Sequence, residues 1–239
     1  MTNTQSSAED FYKKVLDIIV ESNIPFMIGG GIAVCEYTGI ARLTKDLDIF
    51  CKAGDCPKIV NILGRSGLKV RILDERWLAQ ALETKYYVDI LFSSPNYLVT
   101  VDDSWFIYSQ KTRLFGHQVK LIAPEELIWC KAYIQDRDHY DGADINHLFL
   151  KLGKQIDWRR LLNRMESHWE VLLSFLINFR FVYPSERTVI PRWLMEELLS
   201  RLKYQIGNPT PIDKICRGPL LSRVQYKIDI EKFGFETMS

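Results

Sequence analysis

The sequence predicts an α+β chain, with a mixed β-sheet flanked by helices over residues 1–123 and a mainly helical region over residues 124–239. Three observations carry this. Short apolar runs with strand periodicity alternate with helix-period segments up to about Ala123. From Pro124 onward the apolar residues recur at helical spacing instead. Single aspartates sit inside apolar strand-like runs, at Asp46, Asp48 and Asp89, where burial alone would not place them. At 239 residues and 47% hydrophobic, the chain is long enough to bury a core. That length allows one large domain or two small ones.

The elements follow in order. Ser7-Ala-Glu-Asp10 resembles an N-cap followed by acids, and Phe11, Val15, Ile18 and Ile19 share one helical face, which predicts a helix over about Ala8–Ser22. Ile24–Ile28 reads as a short buried strand with Pro25 at its start, where a missing N–H is tolerated. Gly29-Gly30-Gly31 ends it, and Ile32–Tyr37 reads as a helix stopped near Gly39. Leu47–Cys51 is a second strand, Pro57–Ser66 a helix with proline in its first turn, and Leu68–Leu73 and Tyr86–Phe92 are further strands. Arg113–Ile122 reads as a hairpin turning at Gly116-His117. Helices are expected at Pro124–Ile134, Ala143–Leu152, Trp158–Glu166, Val171–Phe181 and Pro191–Leu202, and a strand around Val224–Ile230 in an otherwise irregular tail.

Composition narrows the function classes. The formal charge is +1, and it divides evenly: residues 1–100 carry 11 Lys/Arg against 12 Asp/Glu, the remainder 20 against 18. Neither part is a basic arm, so charge does not support broad nucleic-acid binding, although a tRNA end needs only a local patch. The five cysteines are scattered without a C-x-x-C pair and read as reduced, buried thiols. The polar start MTNTQSSAEDFYKK and the lack of an apolar run of ~18 residues point to a cytoplasmic protein outside the membrane.

The stretch IGGGIAVCEYTGIARLTKDLDIF, Ile28–Phe50, bears the chemistry. Residues i and i+2 of a strand share a face, so Asp46 and Asp48 point together while Leu47 and Ile49 pack on the other side. Two carboxylates that close repel unless a positive charge lies between them. Oxygen-only ligation favours Mg²⁺ or Mn²⁺ over zinc. Asp89, between Val88 and Ile90, repeats the pattern, and a strand beside Asp46–Asp48 would bring three carboxylates to one sheet edge. Such a trio can hold two metal ions for in-line phosphoryl or nucleotidyl displacement. Each part also has a plain reading: D-x-D as a solvated face, Asp89 as an exposed strand residue, the glycines as a tight turn. Their order in one chain argues for a site.

That order resembles the nucleotidyltransferase superfamily typified by DNA polymerase beta. Its pattern of hydrophobe-Gly-Gly/Ser, a spacer, Asp-hydrophobe-Asp/Glu and a later hydrophobe-Asp-hydrophobe is matched by Ile28-Gly29-Gly30, Asp46-Leu47-Asp48-Ile49 and Val88-Asp89-Ile90. Arg42-x-Thr44-x-Asp46-x-Asp48 looks like the subgroup of AbiEii-type toxins and small antibiotic nucleotidyltransferases, and Glu126-Leu127-x-x-x-Lys131 followed by Arg137, Asp141 and Asp144 is similar to that subgroup's downstream helix. The resemblance covers roughly Pro25–Leu150 and implies a nucleotidyltransferase-type fold. It implies NMP transfer from an NTP donor to a hydroxyl acceptor, which is a small molecule, a tRNA or a protein.

Under that resemblance Gly29 and Gly30, with Arg42 and Thr44, would bind the nucleotide, and Asp46, Asp48 and Asp89 would ligate the metal. Asp89 would also draw the acceptor's proton, and a cation from among Arg42, Lys45 and Lys131, Lys131 first, would meet the leaving pyrophosphate. The subgroup further implies a toxin held by an antitoxin protein. The alternative is a non-catalytic nucleotide-binding or interaction protein that keeps the fold, against which the retention of all three acids speaks. Arg42 reads equally as a salt-bridge partner of the two aspartates, and Thr44 as a β-branched strand lead-in. Asp144 and His147 fall at i, i+3 without a third ligand and read as helix surface. Trp129, Trp158, Trp169 and Trp193 read as core.

Overall fold

Ile24–Ile28 contributes only two residues to the sheet, because Pro25 has no N–H to give a ladder and pairing begins past it. Residues 3–41 and 46–237 are described by the structure, a computed structural model, with side chains from residue 8 onward. The chain divides into two compact units, Met1–Ala123 and Pro124–Ser239. The architecture is α+β: a seven-stranded mixed sheet with helices in the first, and mostly helices in the second.

The first unit begins with α1 (Asn3–Glu21), five residues earlier than the sequence predicts, then β1 (Met27–Ile28), α2 (Gly30–Thr38), β2 (Asp46–Phe50) and α3 (Cys56–Arg65). It continues through β3 (Lys69–Asp74), β4 (Leu78–Glu83), β5 (Tyr86–Leu91), α4 (Asp103–Tyr108) and the hairpin β6 (Gln110–Leu114) and β7 (His117–Leu121). The strands lie in the order β3-β4-β5-β2-β1-β7-β6. β2 runs parallel to β5, β1 antiparallel to β2 and parallel to β7, and the remaining pairs are antiparallel. The hairpin turns at Phe115-Gly116, one residue before the expected position; both have positive φ, 48° and 88°, the geometry that suits the twist of a two-residue hairpin.

Register fixes which side chains meet. Asp48 pairs with Asp89, Asp89 with Gln80, and Gln80 with Arg71. Opposed residues share a face, so these four form one row across β2, β5, β4 and β3. Leu47, Ile49, Val88 and Ile90 point the other way and are fully buried. This is the alternation that lets a core strand carry acids.

In the second unit α5 (Pro124–Ala132), α6 (Gly142–Leu152), α7 (Trp158–Arg164), α8 (Trp169–Val182) and α9 (Arg192–Ile206) supply the core. Leu148, Phe149, Leu161, Leu172, Leu176, Phe179, Leu194 and Leu198 are fully buried, and the Phe149 and Phe179 rings meet edge-on at 5.8 Å. Of the four tryptophans expected in the core, Trp158 is buried and donates its indole N–H to the Gly153 carbonyl at 2.9 Å. Trp129 and Trp193 instead lie half-buried beneath Arg164 and Arg159. The expected strand around Val224–Ile230 is absent: Lys227 and Glu231 pair at i, i+4 on the short helix α10 (Lys227–Glu231). A two-stranded parallel pair, β8 (Ile215–Cys216) and β9 (Glu236–Thr237), brackets it. Among the described residues, no helix is long and apolar enough to cross a membrane.

Candidate active site

Asp46 and Asp48 leave β2 on one face, and Asp89 leaves β5 beside Asp48. One ligand atom from each of the three lies within 4.8 Å of the others, all half-buried. No other group of three such side chains converges this closely among the described residues. The donor set, three carboxylates and no sulfur or imidazole, suits a hard divalent cation. Burial pushes the Asp89 carboxyl above its ordinary range; the neighbouring Asp46 charge adds to the rise and a hydrogen bond from Gln80 opposes it.

Two tyrosines register the same negative field. Tyr87, opposite Asp46 in the ladder, is raised by burial and then by Asp46, Asp89 and Asp48, and its side chain hydrogen-bonds Asp46. Tyr12, on α1, is pushed up to about 12 by burial and by Asp46, and its buried hydroxyl has no hydrogen-bond partner among the described residues.

The glycines are explained by the same carboxylates. Gly30 has φ +56°, and a Cβ there would lie 1.5 Å from Asp48 Oδ2. A Cβ on Gly29 would lie 2.3 Å from the Phe50 ring. The Gly29 N–H is bound to the Asp48 carbonyl at 3.0 Å, which ties the turn to β2. Gly29, at the N-cap of α2, has no side chain to cap the first turn, whose leading N–H groups have no partner within their own helix. These groups carry the helix's partial positive charge.

Lys131 lies in the second unit, on α5, and is buried. Its Nζ donates to Asp141 Oδ2 at 2.9 Å and to Asp144 Oδ2 at 2.8 Å, while His139 Nε2 stands 3.1 Å from Asp141 Oδ1. Burial alone lowers the ammonium, but the Asp141 and Asp144 charges outweigh it and hold it above its usual value. Asp144 is therefore an interior ion-pair partner rather than helix surface. Glu126 of the same helix is fully buried, and burial raises its carboxyl despite Arg160 and Arg164. Arg42, Thr44 and Lys45 lie outside the described residues.

Sequence reasoning did not single out Gln80 or Arg71. Gln80 Nε2 donates to Asp89 Oδ1 at 2.8 Å, and Arg71 Nη2 donates to Gln80 Oε1 at 3.0 Å. The available signal was a polar residue at the centre of Leu-Ala-Gln-Ala-Leu, but that run is built of helix-forming residues and carries no strand signal.

Neither a family model nor a curated protein matches the sequence. Solved structures do match. The chain is similar to the lincomycin-bound lincosamide antibiotic adenylyltransferase LnuA, with 21% identity, 62% of this chain and 96% of that one covered, and a TM-score of 0.43. It is similar to an antigenic nucleotidyltransferase-like protein from Paracoccidioides brasiliensis, with 18% identity, 77% and 90% covered, and a TM-score of 0.48. It is also similar to JHP933 from Helicobacter pylori, with 15% identity, 96% and 98% covered, and a TM-score of 0.47.

Proposed function

We propose that this chain is a metal-dependent nucleotidyltransferase that moves a nucleoside monophosphate from an NTP to a hydroxyl acceptor. The observation that carries this reading is the convergence of Asp46, Asp48 and Asp89 within 4.8 Å, beside a glycine whose absent Cβ makes room for Asp48. Asp46 and Asp48 hold the cation in this reading, with Asp89 completing the set. Bound there, Mg²⁺ or Mn²⁺ supplies Lewis-acid neutralisation of the triphosphate and of the leaving pyrophosphate.

The protein's own groups do the rest. Gly29 and Gly30 let the backbone come close to the phosphates, and the first turn of α2 directs N–H groups at them. Asp89, raised by burial, takes the proton of the acceptor hydroxyl. The hydroxyl oxygen then attacks the α-phosphorus, and the bond to the bridging oxygen of pyrophosphate breaks in line. Arg42 and Thr44 would steady the nucleotide. Lys131, assigned to the leaving group from the motif Glu126-Leu127-x-x-x-Lys131, would have to exchange one of its two carboxylate partners to do so. The toxin role, and with it an antitoxin partner, rests on the subgroup resemblance of Arg42-x-Thr44-x-Asp46-x-Asp48 and of Glu126-Leu127-x-x-x-Lys131.

The test is calorimetric titration of each of the four NTPs with Mg²⁺ into wild type and into Asp46→Ala/Asp48→Ala. Metal-dependent binding that the double substitution abolishes supports the assignment and identifies the donor. A folded wild type that binds no NTP in the presence of metal rules it out.

A further inference from the structure

We propose that Gln80 is a positioning residue for Asp89, locked in orientation by Arg71, and that it sets the affinity of the carboxylate cluster for a divalent cation; this rests on the nucleotidyltransferase reading above. The row Arg71–Gln80–Asp89–Asp48 crosses four strands in direct register. Each outer link has hydrogen-bond length: Arg71 Nη2 to Gln80 Oε1 at 3.0 Å, and Gln80 Nε2 to Asp89 Oδ1 at 2.8 Å.

The polarity of the chain is forced. Guanidinium is donor-only, so the oxygen of the Gln80 amide must face Arg71 and the NH₂ must face Asp89. With its amide reversed, Gln80 would set an acceptor against a carboxylate. Gln80 is only 8% exposed, so an amide unpaired there would carry a desolvation penalty. Arg71 therefore does more than decorate an edge strand; it chooses which end of Gln80 meets the site.

Why glutamine holds this carboxylate is a matter of charge. A lysine or arginine touching Asp89 would form an ion pair there, and a divalent cation would have to displace it. A neutral N–H fixes the rotamer and occupies Oδ1 while leaving the full negative charge in place, with Oδ2 for the cation or the acceptor's proton. The positive charge is kept one side chain further out. Partners of this kind orient metal ligands, and their loss typically costs 10–100-fold in metal affinity.

The experiment measures Mn²⁺ affinity by electron paramagnetic resonance on the full chain, with circular dichroism and Tm recorded for every variant. Gln80→Leu should weaken Mn²⁺ binding by about tenfold at unchanged secondary structure. Arg71→Ala should weaken it in the same direction by less, and Arg71→Lys, which restores a donor, should recover most of the loss. In an Asp89→Asn background Gln80→Leu should add nothing, a result that a general packing role does not produce.

A folded Gln80→Leu with wild-type affinity overturns the proposal, as does an equal loss with and without Asp89. Should Gln80→Leu fail to fold, the exposed Arg71 carries the test, and wild-type affinity in Arg71→Ala is then the refuting result. A folded wild type that binds no Mn²⁺ at all is a different outcome: it removes the parent reading, and this one with it.

Discussion

Replacing Gly30 by alanine separates two costs that the structure assigns to different atoms. The first is the backbone: φ is +56°, and a left-handed alanine costs roughly 1–2 kcal/mol. The second is contact, because the new Cβ would lie 1.5 Å from Asp48 Oδ2, where an ordinary contact needs at least 3.4 Å. The carboxylate must retreat by roughly 2 Å, and Mg²⁺ tolerates only narrow departures from ligand distances of about 2.0–2.1 Å. Gly39→Ala is the matched control, since Gly39 has φ +71° and, among the described residues, nothing within 4 Å of the added atom. Both variants should lose the backbone share, and at roughly 2–4 °C per kcal/mol that is a fall of about 2–8 °C in Tm. Only Gly30→Ala should also lose Mn²⁺ and NTP binding. Calorimetry on the two variants side by side reads both effects. A Gly30→Ala protein that binds Mn²⁺ as tightly as Gly39→Ala would refute the claim that the glycine exists to admit Asp48.

Two further predictions concern the second unit. Arg160 holds Glu126 through two bonds of 2.8 and 2.7 Å and also pairs with Glu125, so Arg160→Leu leaves buried carboxylates without their main cation. The expected loss is about 3–5 kcal/mol by urea unfolding, and Glu126→Gln in the same chain should return part of it. His168 is held neutral: burial lowers its pKa first, Arg217 adds to this, and Glu170 opposes it. The unfolded chain therefore takes up the proton more readily, so stability is present above about pH 6.5 and falls as pH drops toward the lower folded value. Its Nδ1 lies 2.9 Å from the Tyr133 hydroxyl, which a neutral ring can accept. Between pH 8 and pH 5 the Tm of wild type should fall further than that of His168→Gln, and parallel curves would show that His168 does not titrate differently on folding.

The catalytic candidates were legible because each acid interrupts an apolar run with period two, a pattern that Asp46-Leu47-Asp48 and Val88-Asp89-Ile90 display without help from distant residues. Pairing of β2 with β5 is what a sequence period cannot show, yet it decides whether Asp89 joins the other two. β4 went unread for a physical reason. Leu-Ala-Gln-Ala-Leu-Glu is made of helix formers, and it is a strand because β3 and β5 flank it on both sides. Gln80 was hidden with it. α4 was missed although its signal was present, since Asp102 accepts from the Ser104 N–H at 2.8 Å as an N-cap does. The environment of Lys131 lay beyond reading, because Asp141 and Asp144 come from the far side of a loop and their burial is a tertiary fact.

The two-residue strand β1 has a consequence for the newborn chain. Ile28 pairs with Leu121, so one of its two neighbours is made about ninety residues after it. At ordinary rates of ribosomal synthesis, roughly 5–20 residues per second, that is a delay on the order of 5–20 s. Throughout it the Gly29–Gly30 turn hangs from a strand with one open side, and β2 and β5 can already align their aspartates before the turn is clamped. A nascent chain arrested before His117 should therefore show a protease-sensitive Met27–Gly31 segment that becomes protected once β7 has emerged.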